Sequence, residues 1–285
     1  CYMIDEKSYV NGAIRGDTIA DDILNPNLKK SAISLLLRCK LSKGVTEDLV
    51  RSLITVAQTD PKALLVLNRV AETQKGALCL INESSWMGKK LPDIQSTLDL
   101  FLVLFTQPYL KMKIMEKTTD VVIFLNLVLS IPDDLAPQGN KRSRDKALKD
   151  LDAEIIPILC TILRRMEPTE ELVNEMSQQN FLNEYLLRCD RNELHFYGIH
   201  LISQIVNAQI YTEELLTACD ILLSIIKADQ PGRDYDFAIT TAKEMCVFRQ
   251  CKRRLKASKI DQFIRNGNEL TRLQRAFLRE LTTNS

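Results

Sequence analysis

The side chains that could do chemistry are few and poorly placed for it. His195 and His200 are the two histidines, and a five-residue separation on a helix turns them apart, unlike the i, i+4 pair of a zinc site. Of the eight cysteines, Cys39, Cys79, Cys160, Cys189, Cys219 and Cys246 sit inside helical patterns at wide spacings. They read as small buried hydrophobes of a reducing compartment rather than a disulfide framework. No Cys-x-x-Cys pair occurs, and Cys246 and Cys251 do not share a helix face, which argues against a metal clip. Asp133-Asp134 and Asp150-x-Asp152 are paired carboxylates, the first in an apparent loop and the second in a helix, and neither has a base or metal partner in the pattern. Glycine-rich phosphate loops, Gly-x-Ser-x-Gly and nucleotide fingerprints are missing from the sequence. The expectation is a non-enzymatic chain without cofactor or metal. Asn82-Glu83-Ser84 matches a glycosylation acceptor, which means little without a secretory signal.

Charge is more informative than catalysis. The net charge is +1, yet from Arg249 to the end ten Lys or Arg face three Asp or Glu, about +7, leaving about −6 for the rest. The basic candidates are Lys252, Arg253, Arg254, Lys256, Lys259, Arg265, Arg272, Arg275 and Arg279. On a terminal helix over 269–281, Arg272, Arg275 and Arg279 share one face, opposite Leu273, Phe277 and Leu281. Such a face is either solvated or a surface for nucleic acid or another anionic partner. Aromatic residues do not interleave with these cations, which disfavours stacking on single-stranded bases.

These residues must be held by helices. Of 285 residues, 45% are hydrophobic and 26% charged, with only nine glycines and nine prolines, a balance that suits a packed helical chain with short connections. The pattern is clearest over 193–227. Leu194, Tyr197, Leu201, Ile205 and Ala208 recur at helical spacing, and Leu215, Cys219, Leu222 and Ile226 repeat the rhythm after a break at which Thr212 is placed to cap the second helix. Further helices are expected over 17–24, 27–40, 93–105, 109–116, 120–130, 180–189 and 235–249. Others start after Thr46, at Asp60-Pro61 and after Thr169, and Pro157 is expected in the first turn of one ending near Arg165. Gly76 and Gly88 are expected to punctuate a less regular region around Trp86. Residues 1–16 are expected to be irregular, and 132–144, with its prolines, glycine and basic cluster, reads as an inserted loop. Cys1 in place of Met suggests an excerpt or a processed product. The apolar run Val121 to Ile131, interrupted by Asn126, is too short to span a bilayer.

Thr-acid-acid-Leu-(Val or Leu) occurs at Thr46, Thr169 and Thr212, with separations of 123 and 43 residues that suit a helical repeat of about 40 to 47 residues. Phe181-Leu-Asn-Glu-Tyr-Leu-Leu-Arg-Cys-Asp followed by Glu193-Leu-His-Phe-Tyr-Gly-Ile-His-Leu-Ile resembles the armadillo repeat. So does Ile156-Pro157 with Leu159, Ile162 and Leu163, and the stretch from Leu98 to Val128 keeps the rhythm of one repeat. HEAT-type repeats of two helices remain an alternative. The resemblance implies an all-α, right-handed superhelical solenoid, with residues 17–285 forming a single armadillo-like domain. It further implies a protein–protein interaction scaffold that binds a partner's peptide or helix on the concave face, with Asn126, Gln204 and Asn207 as groove candidates. The chain departs from the armadillo receptors of nuclear-import signals, which repeat Trp and Asn along inner helices, because it holds only Trp86. Alternatives are nucleic-acid or anionic-partner binding through the basic C-terminal helices, and self-association into a homo-oligomer. A cytoplasmic or nuclear location is expected.

Overall fold

The computed structural model describes residues 16–39, 41, 44–89, 91, 93–136, 141–190, 194–228, 233–265 and 270–283. Those residues form an all-α fold, and no strand occurs among them. The expected irregular segment lies, but for Gly16, outside the described residues. Two compact units divide the chain, one up to Leu127 and the other from Val128.

In the first unit the helices are α1 (Gly16–Leu24), α2 (Lys29–Arg38), α3 (Glu47–Ala57), α4 (Pro61–Ala71), α5 (Gln74–Asn82), α6 (Ile94–Phe105) and α7 (Pro108–Met115). The main packings are α1 on α3, α2 on α4, α3 on α5, α4 on α6 and α5 on α7, together with packing between chain neighbours. Local chemistry explains the starts. The hydroxyl of Thr46 accepts from the Leu49 N–H, the Asp60 carboxylate from Lys62 N–H beside Pro61 at the first helical position, and Asp93 from Ser96 N–H. The ends are finished from the next layer. Arg69 on α4 donates to the carbonyls of Leu36, Leu37 and Cys39 at the end of α2, and the Gln107 amide donates to Ala71 O, 2.6 Å, at the end of α4. A helix leaves its last four carbonyls without intrahelical partners, so these side chains satisfy groups the neighbour exposes. Trp86, in a 3₁₀ turn over Ser84–Trp86, is buried against Phe101 and donates to Leu80 O at 2.9 Å. Gly76 does not punctuate: it lies buried in the first turn of α5, where a Cβ would stand 2.7 Å from the Thr73 hydroxyl and closer still to Val70.

α8 (Thr118–Leu135) begins in the first unit and ends in the second, followed by α9 (Lys141–Arg165), α10 (Glu170–Gln178), α11 (Phe181–Cys189), α12 (His195–Asn207) and α13 (Glu214–Lys227). Next come α14 (Arg233–Met245), α15 (Arg249–Ala257), α16 (Ile260–Arg265) and α17 (Arg272–Thr282). Here α9 packs on α12, α11 on α13, α12 on α14, α13 on α15 and α14 on α17. The inserted loop expected over 132–144 is mostly helix: α8 runs through Pro132 to Leu135, α9 starts at Lys141, and 137–140 lie outside the described residues. Likewise Pro157 sits in the interior of α9 rather than in a first turn. An internal proline costs about 3 kcal/mol in an isolated helix. Burial of Val128 and Leu129 on α8, and of Ile155, Ile156, Leu159 and Cys160 on α9, offsets that cost.

Thr169 caps α10 as expected, accepting from Leu172 N–H, but Thr212 does not cap α13. Its buried hydroxyl bonds the Glu214 carboxylate and lies 3.1 Å from the Ser177 hydroxyl, which also donates to Glu214 at 2.5 Å. Burial alone would raise the Glu214 pKa, and the two hydroxyl donors reverse the sign and hold it below the ordinary range. What this contact adds to stability is therefore present above the ordinary carboxylate pKa and is lost as pH falls through the depressed one.

Two features hold α11 in place. Arg188 bonds Asp152 of α9 at 2.8 Å and Asp133 of α8, with the Arg188 side chain 12% and the Asp152 side chain 1% exposed. Burial works against the guanidinium charge, but the two carboxylates outweigh it and keep Arg188 more firmly protonated than a free arginine. On the other face, Gly198 of α12 lets the helices approach so closely that a Cβ there would meet Cys189 Cβ at 2.8 Å.

Two variants test this packing by urea denaturation. Gly198→Ala forces α11 and α12 apart and is expected to cost about 1 to 3 kcal/mol, where an exposed helical glycine would gain from the same change. Arg188→Met takes a charged partner from the buried Asp152 and is expected to cost about 3 kcal/mol, part of it recovered when Asp152→Leu is added.

Candidate anion-facing surface

The basic residues at the C-terminal end belong to three short helices of the second unit. α15 buries Cys251, Lys252 and Leu255, and turns Arg249, Arg253, Arg254 and Lys256 outward. It begins with Arg249 and has no side-chain cap and no acid in its first turn, so the charge at its start opposes the helix, while Arg254 and Lys256 in its last turn favour it. Packing against α13, α14 and α17 holds it. Lys259, exposed and in the left-handed region at φ 56°, turns the chain into α16, which ends at the exposed Arg265. α17 is better built. Thr271 and Gln274 form a reciprocal capping box, Phe277, Leu278 and Leu281 are buried, and Arg272, Arg275 and Arg279 all face solvent. Gln274 also donates to the Tyr235 hydroxyl at 2.8 Å, tying α17 to α14. Since α17 touches both α15 and α16, the three basic helices adjoin one another.

Arg249, Arg253, Lys256, Lys259, Arg265, Arg272, Arg275 and Arg279 are all exposed, and none forms an ion pair with a described residue. Arg254 differs, because Asp220 of α13 takes it in a two-pronged contact at 3.0 and 2.8 Å. Lys252 is a correction to the surface set. It is 7% exposed, beside Cys251 on the inward face, since positions 251, 252 and 255 cluster on one side of a helix. Its positive charge acts on the buried Cys246 thiol against burial, which pushes that thiol up to about 12.

The groove candidates fall in both units. Asn126 is half-buried on α8 in the first unit. Gln204 and Asn207 are on α12 in the second. Gln204 lines an apolar cavity with Leu163, Met166, Leu172, Val173 and Met176, with room for about one water. Asn207 is exposed, and its amide donates to the Ser203 hydroxyl at 3.3 Å.

His195 Nε2 lies 3.0 Å from Asp190 O, and the His200 ring packs edge-on against Phe196 and Phe237. The seven described cysteines are free thiols, and burial drives those of Cys160, Cys189 and Cys246 upward, away from the thiolate form. Among the described residues no group of three or more His, Cys, Asp or Glu is arranged to hold a metal ion. Nor is any helix long and apolar enough to cross a membrane. The paired carboxylates that had no partner in the sequence pattern have one in space: Asp152 and Asp133 both meet Arg188, 36 and 55 residues away, a relation that no local signal reveals. In comparisons with known proteins, no family model, no curated protein and no solved structure matches this chain.

Proposed function

We propose that this chain is a non-enzymatic interaction module of armadillo- or HEAT-like repeats, wound as one right-handed superhelical solenoid, that docks an anionic partner on the basic face of α15, α16 and α17. The layered packing of helices on their second and third chain neighbours supports the repeat reading. The free thiols suit the reducing cytoplasm or nucleus. The observation that carries the docking surface is the set of eight exposed cations without a carboxylate partner among the described residues. Single exposed arginines without an ion pair to a described residue occur elsewhere, as at Arg38, Arg164 and Arg165, so what marks this end is that eight such cations lie on three adjoining helices. Unmatched like charges on adjoining helices repel one another, and the anions of a partner relieve that repulsion. A concave groove centred on Asn126, Gln204 and Asn207 has less behind it, because Gln204 faces a one-water cavity and Asn207 bonds its own helix.

Retention on immobilised heparin tests the surface. Reversing Arg272, Arg275 and Arg279 to Glu is expected to weaken retention roughly tenfold or more. Reversing the exposed Lys30, Lys62 and Lys75 of the first unit makes the same change in net charge and is expected to leave most of it. Equal losses in the two variants would mean that overall charge, not this face, does the binding.

A further inference from the structure

Resting on that reading of the basic face, we infer that its partner is the phosphate backbone of a nucleic-acid duplex, held without selection of base sequence. The composition of the surface separates this partner from an acidic protein segment. Protein interfaces centre on buried aromatic or aliphatic anchors and are depleted in lysine. Here the exposed large hydrophobic residues are Leu24, Leu65, Tyr109, Met112, Leu187 and Val247; none lies on α15, α16 or α17, and Val247, two residues ahead of α15, stands alone there. What those helices expose instead is arginine and lysine, the polar and strongly positive composition of a nucleic-acid interface.

The same surface separates duplex from single strand. Single strands are held by bases stacking on exposed aromatic rings. On this part of the chain Phe277 is buried, Phe263 is half-buried, and Phe248 is half-buried with its ring against Tyr211. Base edges are read by arginine, asparagine or glutamine side chains carried into a groove. Gln274 of α17 is already engaged by the capping box and by Tyr235, and the exposed Gln250 and Gln262 stand on the short α15 and α16 rather than along the arginine row. Arg272, Arg275 and Arg279 instead advance along α17 by about 4.5 and 6 Å, a row of donors on the scale of the ~3.4 Å axial spacing of phosphates along one strand. Arg253 and Lys256 on α15, with Lys259 at the turn, extend the cationic area on the adjoining helix.

The test is fluorescence anisotropy of the full chain with two labelled ~20-bp duplexes of unrelated sequence, and with one of their single strands, between about 50 and 200 mM KCl. Both duplexes are expected to bind within about threefold of each other and more tightly than the single strand. With six to eight phosphate contacts, log K should fall with log[KCl] at a slope of about −5 to −7. Reversing Arg272, Arg275 and Arg279 to Glu should make that slope shallower by about 3 and weaken binding at least about tenfold, with the far-UV CD spectrum and thermal midpoint unchanged. The Lys30, Lys62 and Lys75 reversal should keep the slope. A slope shallower than about −2, or a preference for the single strand, overturns the inference. If polyglutamate, or vesicles of equal phosphatidylserine and phosphatidylcholine, bind through the three arginines while neither duplex does, the nucleic-acid assignment falls and the basic face stands. If the Lys30, Lys62 and Lys75 reversal costs as much as the arginine reversal, both fall.

Discussion

Helices shorter than about 12 to 15 residues are marginal in water, because nucleating the first turn costs more than a few added hydrogen bonds return. Apart from α8 and α9, at 18 and 25 residues, every helix here has between six and fourteen. Each must therefore bury its apolar stripe against another, and the chain does this within each unit by packing helices on partners one to three positions away in order. The same constraint governs the polar groups. An end that is to be packed against has to have its free carbonyls satisfied, and Arg69 and Lys227 from neighbouring helices and Gln107 from the connection before α7 do this. Apolar burial and end-capping are thus supplied by the same neighbours, so loss of one helix exposes both the stripe and the helix ends it covered.

Charge is treated in two opposite ways. In the interior of the second unit a cation is tolerated because it is matched: Arg188 stands between Asp152 and Asp133, drawing α8, α9 and α11 to one point. Arg188 and Asp152 are buried, and removing one partner from a buried charge costs more than replacing the pair, whereas Asp133 is half exposed and keeps contact with water. At the C-terminal helices Arg254 is matched by Asp220, but eight other cations have no ion-pair partner among the described residues and stand in water, where the penalty is small and salt screens it. Exposure makes that arrangement affordable.

Much of the helical layout is legible in local chemistry. A hydroxyl or carboxylate ahead of an apolar stripe marks a start wherever the side chain has nothing better to do, as at Thr46, Asp60, Asp93 and Thr169. Thr212 carries the same local motif and fails, because Glu214 and Ser177 compete for its hydroxyl once α10 and α13 are packed. Pro132 and Pro157 resemble breaks for an equally local reason, and burial on both sides of them overrides it. Residue type alone puts Lys252 at the surface, whereas its position on α15 places it with Cys251 and Leu255 on the inward face.

By itself, then, the sequence determined the all-helical class, most helix starts, and the separation of a basic end from an acidic remainder, because periodicity, capping and net charge act over a few residues or sum over many. Only the tertiary structure decided which charges are matched. Asp152 finds Arg188 across 36 residues and Arg254 finds Asp220 across 34, while Arg272, Arg275 and Arg279 find no described partner. Pairing depends on which helix faces meet, and that is set by how side chains of distant segments fill space together.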